Sequence, residues 1–236
     1  METGFLLIDK PPGPTSHDIV DRLRRITGVK KIGHAGTLDP FASGLLFMAI
    51  GREATREIAK CVGLDKTYEA DIVLGVRSTT LDPEGELTSV PVPNLSIERL
   101  GEAMQSLTGE LDQIPPMHSA IKIGGKRLYK LARQGKEIER EPRKIHVSKF
   151  ELISPIEPNI HPIGPIPIRA HIACGSGTYV RALARDLGEA LGTAGYLSAL
   201  RRTEIGSYTV DNAHHLEDLT PENWKDFLID QSSVQC

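Results

Sequence analysis

Two hydrophobic periods alternate along this chain, and the switches between them mark its elements. Phe5, Leu6, Leu7 and Ile8 form an unbroken apolar run, which predicts a short buried strand ended by Lys10-Pro11-Pro12-Gly13-Pro14. Thr15-Ser16 offers an N-cap for a helix over 17–26, where Ile19, Leu23 and Ile26 keep a helical spacing and Gly28 provides the stop. Residues 44–50 read as a strand and 55–62 as a helix. Over 66–75 the period is two: Tyr68, Ala70, Ile72 and Leu74 share one face, Thr67, Glu69 and Asp71 the other. Residues 77–89 are turn-rich, with Asp82-Pro83-Glu84-Gly85 as a hairpin or loop. Ser96 caps a helix to about 107, and Gly109 ends it. Residues 144–153 and 166–173 form paired strands around a proline-rich loop at 155–165. A last helix runs to about 191 on a core face of Val180, Leu183, Leu187 and Leu191. Elements interleaved this irregularly predict an α+β fold with a mixed, mostly antiparallel sheet.

One stretch breaks both periods: Gly33-His34-Ala35-Gly36-Thr37-Leu38-Asp39-Pro40, continued by Phe41-Ala42-Ser43-Gly44. Its glycines and proline predict a shaped loop, which presents His34, Thr37 and Asp39 close together. Asp39 followed by Pro40 equally fits the first positions of a helix, with Asp39 as its cap.

Composition narrows the class. At 236 residues, with 39% hydrophobic and 25% charged side chains, the chain supports one substantial core with an appendage. No apolar run approaches the roughly 20 residues that span a bilayer. The N-terminus lacks the basic and apolar regions of a secretory signal, so a cytoplasmic location is expected. Cys61, Cys174 and Cys236 are too widely spaced to suggest a disulfide framework or a zinc site. There is no metal-binding or phosphate-loop motif either, so no cofactor and no metal are expected. The net charge of −3 argues mildly against nucleic acid, but the acidic excess is concentrated in 211–236. Basic residues cluster in 22–31 and 122–149, and local patches set the field that a phosphate backbone meets. Within the second cluster, Leu128, Leu131 and Ala132 give a short helix an apolar face. Lys126, Arg127, Lys130 and Arg133 occupy the remainder, either as a phosphate-contacting surface or as a solvated one.

The Gly33–Gly44 stretch resembles the catalytic motif of the TruB family of tRNA pseudouridine synthases, in wording closer to the bacterial members than to those that use guide RNA. The likeness extends from about residue 4 to about 219. Asp9-Lys10-Pro11 with Gly13 and Thr15-Ser16 is similar to the family's N-terminal motif, where a scaffolding role is expected. Lys66-Thr67-Tyr68 resembles the placement of the active-site tyrosine. Gly175-Ser176-Gly177-Thr178-Tyr179-Val180-Arg181 resembles the segment whose arginine pairs with the catalytic aspartate. Tyr196-Leu197-Ser198-Ala199-Leu200-Arg201-Arg202-Thr203 resembles the third motif, whose leucine packs on the bound base.

The resemblance implies a pseudouridine synthase fold, a sheet flanked by helices, with an RNA-contacting insertion. It implies Asp39, Tyr68 and Arg181 as catalytic residues meeting in one cleft, and His34, Tyr68, Tyr179 and Leu200 as substrate contacts. Lys126, Arg127, Lys130 and Arg133 would meet the RNA backbone. The substrate implied is the uridine at position 55 in the T loop of tRNA, flipped out of its stack, and the protein is expected as a monomer off the membrane. A catalytic domain is expected over 1–210, its basic insertion at about 113–146, with a short acidic tail over 211–236 and no RNA-binding PUA domain. A non-catalytic RNA-binding or tRNA-folding protein on the same scaffold is the alternative. A zinc-dependent deaminase is disfavoured because Gly36 stands where its glutamate belongs. An aspartate-dependent hydrolase would act on small substrates without RNA.

Overall fold

The computed structural model of the chain describes residues 3–119, 121–123, 125–132, 134–153, 159–160 and 164–229. In chain order the first elements are β1 (Gly4–Lys10), α1 (Ser16–Thr27), β2 (Ile32–Ala35), β3 (Ser43–Ile50), α2 (Arg52–Val62) and β4 (Lys66–Leu74). A hairpin follows, β5 (Val76–Ser78) and β6 (Leu87–Ser89), then α3 (Ile97–Ser106) and β7 (Gly109–Gln113). The remainder is α4 (Leu128–Ala132), β8 (Arg143–Leu152), β9 (Ile166–Cys174), α5 (Val180–Ala190) and β10 (Gly195–Ile205). The contacts divide the chain into two compact units, Met1–Glu69 with Leu200–Cys236, and Ala70–Ala199. Both boundaries fall inside strands, β4 and β10.

In the first unit β3 is central. It pairs antiparallel with β1 from Gly4↔Ile50 to Lys10↔Gly44, antiparallel with β2, and parallel with β10 at Arg201↔Ser43 and Arg202↔Gly44. β1 is apolar throughout 5–8 because it is buried on both faces. Leu6 and Ile8 join Ile19, Val20 and Leu23 of α1 in one core cluster, while Phe5 and Leu7 join Ala54 and Cys61 of α2 in another. The acidic C-terminal stretch feeds the first cluster through Leu216, Leu219 and Trp224. Its backbone also exchanges bonds between Phe5 and Ile229, 3.0 and 2.8 Å. Burying one such side chain contributes about 1.5–3 kcal/mol, so Leu216, Leu219 and Trp224 make the described stretch over 211–229 part of this core. Contact thus divides the chain elsewhere than charge does.

The 33–44 stretch is not wholly a loop. Ile32–Ala35 forms β2, with His34 opposite Met48, because the edge of β3 offers backbone partners that outweigh glycine's low strand preference. Residues 36–42 are irregular and enter β3 directly, so Asp39 caps no helix. α1 carries the expected cap: Thr15 Oγ1 accepts from Asp18 N–H at 3.1 Å, and Asp18 accepts from Thr15 N–H at 2.8 Å. Cys61 is disulfide-bonded, which cysteine spacing did not suggest.

In the second unit the strand order is β4-β9-β8-β7. The β8–β9 and β8–β7 pairs are both antiparallel. The α+β class and the mixed, mostly antiparallel pairing therefore hold. No helix of the described residues is long and apolar enough to cross a membrane.

Candidate active site

The segment around Asp39 is clamped by the turn that follows β1. Ser16 Oγ donates to the Leu38 carbonyl at 3.0 Å and accepts from Leu38 N–H at 2.9 Å. Gly13 N–H and the Lys10 ammonium both reach the Pro40 carbonyl, at 2.8 and 3.3 Å. Ala42 N–H closes back on the Asp39 carbonyl at 3.1 Å. The backbone on both sides of Asp39 is therefore fixed by groups of the N-terminal motif, which gives that motif its scaffolding role a physical form.

Lys10 is fully buried, its ammonium shared among the carbonyls of Pro11, Pro14 and Pro40. Burial lowers its pKa to about 8; the Asp39 carboxylate acts the other way, and Arg202 adds to the lowering. A cation and a carboxylate this coupled favour each other's charged forms.

Tyr68 is buried on β4, 8% exposed, inward with its apolar set as the alternation predicted. Arg202 of β10 donates through Nε to the Leu45 carbonyl at 2.7 Å and through Nη2 to the Gly36 carbonyl at 3.1 Å. Two glycines make room for it. A Cβ on Gly44 would lie 2.2 Å from the Arg202 carbonyl oxygen, and Gly44 adopts φ +99°. Gly36, at φ +88°, would place a Cβ 3.4 Å from Arg202 Nη1.

His34 is half-buried, and burial followed by the Arg202 charge lowers its pKa, so it is a neutral ring at pH 7. Its Nδ1 has no hydrogen-bond partner among the described residues. Leu200 is 8% exposed, and its carbonyl accepts from Ser43 Oγ at 3.5 Å. Asp39, Tyr68, His34 and Leu200 thus all belong to the first unit.

Arg181 and Tyr179 belong to the second. Arg181 is buried, not a surface side chain. Its Nη1 donates to Asp82 Oδ2 at 2.8 Å and to the Thr80 carbonyl at 3.1 Å, and its Nη2 to the His118 carbonyl at 2.7 Å. Asp82 is equally buried and is itself held by Glu84 N–H at 3.1 Å and by the Thr80 hydroxyl. A cation in the first turn of α5 opposes the helix dipole, and this carboxylate offsets that cost. Tyr179 precedes α5, where the Gln113 side chain caps it on both sides: Oε1 accepts from Tyr179 N–H at 2.8 Å and Nε2 donates to its carbonyl at 3.2 Å.

The sequence reading missed Asp82 and Arg202. Asp82 sits in an Asp-Pro-x-Gly turn, and nothing local shows that it faces an arginine 99 residues away. Arg202 did leave a signal, since it shares strand parity with Leu200 on a face otherwise expected to be apolar. In the basic insertion, Leu128 and Leu131 bury the apolar face of α4. Arg133 and the side chains of Lys126, Arg127 and Lys130 lie outside the described residues.

Residues 24–180 match the family model for the TruB family pseudouridylate synthase (N terminal domain), and 181–234 that for the tRNA pseudouridylate synthase B C-terminal domain. The chain is 46% identical over 232 residues to tRNA pseudouridine synthase B of Mycobacterium bovis (strain BCG / Pasteur 1173P2), which covers 98% of this chain and 76% of that protein. The protein of the same name from Arthrobacter sp. (strain FB24) is 44% identical over 229 residues, covering 94% and 72%. Among solved structures, an archaeal box H/ACA sRNP Nop10-Cbf5 complex matches with TM-score 0.66 and 26% identity, over 94% of this chain and 55% of that one. A Cbf5-Nop10-Gar1 complex matches with TM-score 0.69 and 27% identity, over 98% and 57%. The chain therefore spans little more than half the length of those solved chains.

Fold and matches together define a pseudouridine synthase, an isomerase. Within that class, the chain belongs to the TruB family of pseudouridylate synthases.

Proposed function

We propose that this protein isomerises uridine to pseudouridine in the T loop of tRNA, at position 55, with Asp39 as the essential carboxylate. The observation that carries the reading is the anchoring of Asp39 by Ser16, Gly13 and Lys10, in a chain 46% identical to a tRNA pseudouridine synthase B. The reaction breaks the N1–C1′ bond, turns the uracil and joins C5 to C1′. The proton leaves C5 and one is taken up at N1, so nothing is gained or lost and the chemistry calls for no cofactor.

Asp39 acts at the ribose, as nucleophile or as base. Tyr68 receives the C5 proton, and the resemblance gives Arg181 the task of keeping the carboxylate ionised. His34, neutral and flat, fills the space of the extruded nucleotide, while Tyr179 and Leu200 contact the base. Lys126, Arg127, Lys130 and Arg133 meet phosphates of the T arm. The protein works as a monomer in the cytoplasm.

The test is incubation with unmodified tRNA followed by mapping of pseudouridine by position. Product at 55 alone is expected, with Asp39→Asn slower by on the order of 10³-fold or more and tRNA affinity retained. Binding with no product, or an Asp39→Asn variant as fast as the parent, would return the protein to the tRNA-folding alternative.

A further inference from the structure

The two carbonyls that Arg202 holds stand at the two ends of the segment that carries Asp39. Gly36 directly follows β2, and Leu45 lies where the chain has just entered β3. The arginine itself arrives from 157 and 166 residues further along the chain. Backbone pairing puts it there: β10 meets β3 only at Arg201↔Ser43 and Arg202↔Gly44. That approach is too close for any side chain at Gly44, where a Cβ would lie 2.7 Å from the Arg202 nitrogen as well as against its carbonyl. The middle of the segment is held separately, Leu38 by Ser16 and Pro40 by Gly13 and Lys10. Arg202 is also the largest fully buried side chain of the described residues, and a buried guanidinium is costly to keep. Leucine or methionine would fill much of that volume without the cost. Neither could hold two separate carbonyls with one rigid fork of donors.

We propose that Arg202 is a positioning residue for the isomerisation, clasping the Asp39 segment by both ends and so setting where the carboxylate stands. This rests on Asp39 being the essential carboxylate. Buried carbonyls need partners, and residues 36–42 are irregular, so no ladder of strand bonds fixes their path. The clasp supplies what the ladder does not. With its ends released, the segment would still hang from Ser16, Gly13 and Lys10, but it could pivot about them. A shift of about 1 Å at a reacting group can cost on the order of 10²-fold in rate. Leu200 lies two residues before Arg202 on β10, so one strand carries both the residue given to the base and the clasp on the carboxylate's segment. Arg202 acts through the backbone, and its loss should fall on the chemical step more than on the hold on tRNA.

The experiment compares Arg202→Met and Arg202→Gln with the parent, by kinetics on unmodified tRNA and by amide hydrogen exchange. Arg202→Met is expected to lower kcat about 10- to 100-fold with KM for tRNA little changed. Exchange at the Leu38 and Ala42 amides, which are bonded within the segment, should quicken while the amides shared by β1 and β3 keep the parent's protection. Glutamine reaches only as far as the arginine Nε, so it can keep the Leu45 bond and must release Gly36; its losses should be intermediate. Should Arg202→Met fail to fold, Arg202→Gln carries the test by the same two readings. Three results would overturn the proposal: exchange that quickens equally in β1, a rate loss that vanishes when corrected for the folded fraction, or a loss that appears in KM alone. A parent that makes no pseudouridine would refute the proposed function instead, and the local exchange would then decide alone whether Arg202 clasps the segment.

Discussion

Arg181 and Arg202 are both buried, 5% and 1% exposed, and each sits where its own unit meets it in a different way. Arg181 faces a buried carboxylate, Asp82, which is bonded by two further donors. Arg202 faces two carbonyls. The first arrangement satisfies a charge locally, and removing either partner exposes the other to the full cost of burial. The second has no carboxylate bonded to it among the described residues, so its field is felt by the neighbours: after burial, it adds to the lowering of the pKa of both Lys10 and His34. A carboxylate beside an arginine holds that arginine in place. One without a carboxylate is a standing electrostatic influence on the groups around it.

Stability measurements can break or sharpen this contrast. The largest effect is expected at Arg181→Met, which strands the Asp82 carboxylate at 4% exposure. A loss of about 3–5 kcal/mol in chemical denaturation is expected, and the double variant with Asp82→Asn should recover part of it through a non-additive coupling. Additive losses would mean that the pair is not energetically coupled. Arg202→Met should cost less, about 1–3 kcal/mol, because it orphans two carbonyls but removes a buried charge. If it proved the more damaging of the two, Arg202 would have to be a structural keystone and the contrast would fail. Ser16→Ala comes next. It unties Leu38 N–H and C=O at once, for about 1–2 kcal/mol, and should slow catalysis more than it weakens tRNA binding because Asp39 then rides on a looser segment.

The same contrast shows how far the sequence could be read. Elements set by local spacing were legible: α1 with its Thr15 cap and β4 with its alternation follow from neighbours within a few residues, and β8 and β9 are strands that adjoin in sequence. The motif around Asp39 was legible as chemistry, but its first half was misjudged as loop, because β2 exists only through the hydrogen bonds that β3 lends it. Arg181 was found through its motif, yet its burial and its partner Asp82 were not, since both depend on a turn nearly a hundred residues earlier. Arg202 could have been found by asking why a charge occupies the parity of Leu200. Lys10 was read as scaffold, which fits its three carbonyl partners, but its electrical coupling to Asp39 has no trace in sequence.

Lys10 supplies the last of the expected effects, read as a change of stability with pH. Lys10 titrates at about 8 in the folded chain, lowered chiefly by burial, against about 10.4 when unfolded. Below pH 8 both states hold the proton, and the folded one bears the whole cost of the buried charge. Between pH 8 and 10.4 the unfolded chain binds more protons, so this group makes stability rise with pH, and above that window its contribution is constant. Comparison of the parent with Lys10→Met at pH 7.5 and pH 10 isolates the slope from every other group. The parent should gain on the variant by on the order of 1–3 kcal/mol between the two, less if water reaches the ammonium in the open chain. Activity should move the opposite way. Neutralising Lys10 removes the cation coupled to Asp39, so the parent's rate should fall toward that of Lys10→Met as its fold grows firmer. Parallel stability curves for the two proteins would show that the ammonium at the foot of the Asp39 segment is not the strained charge its surroundings make it.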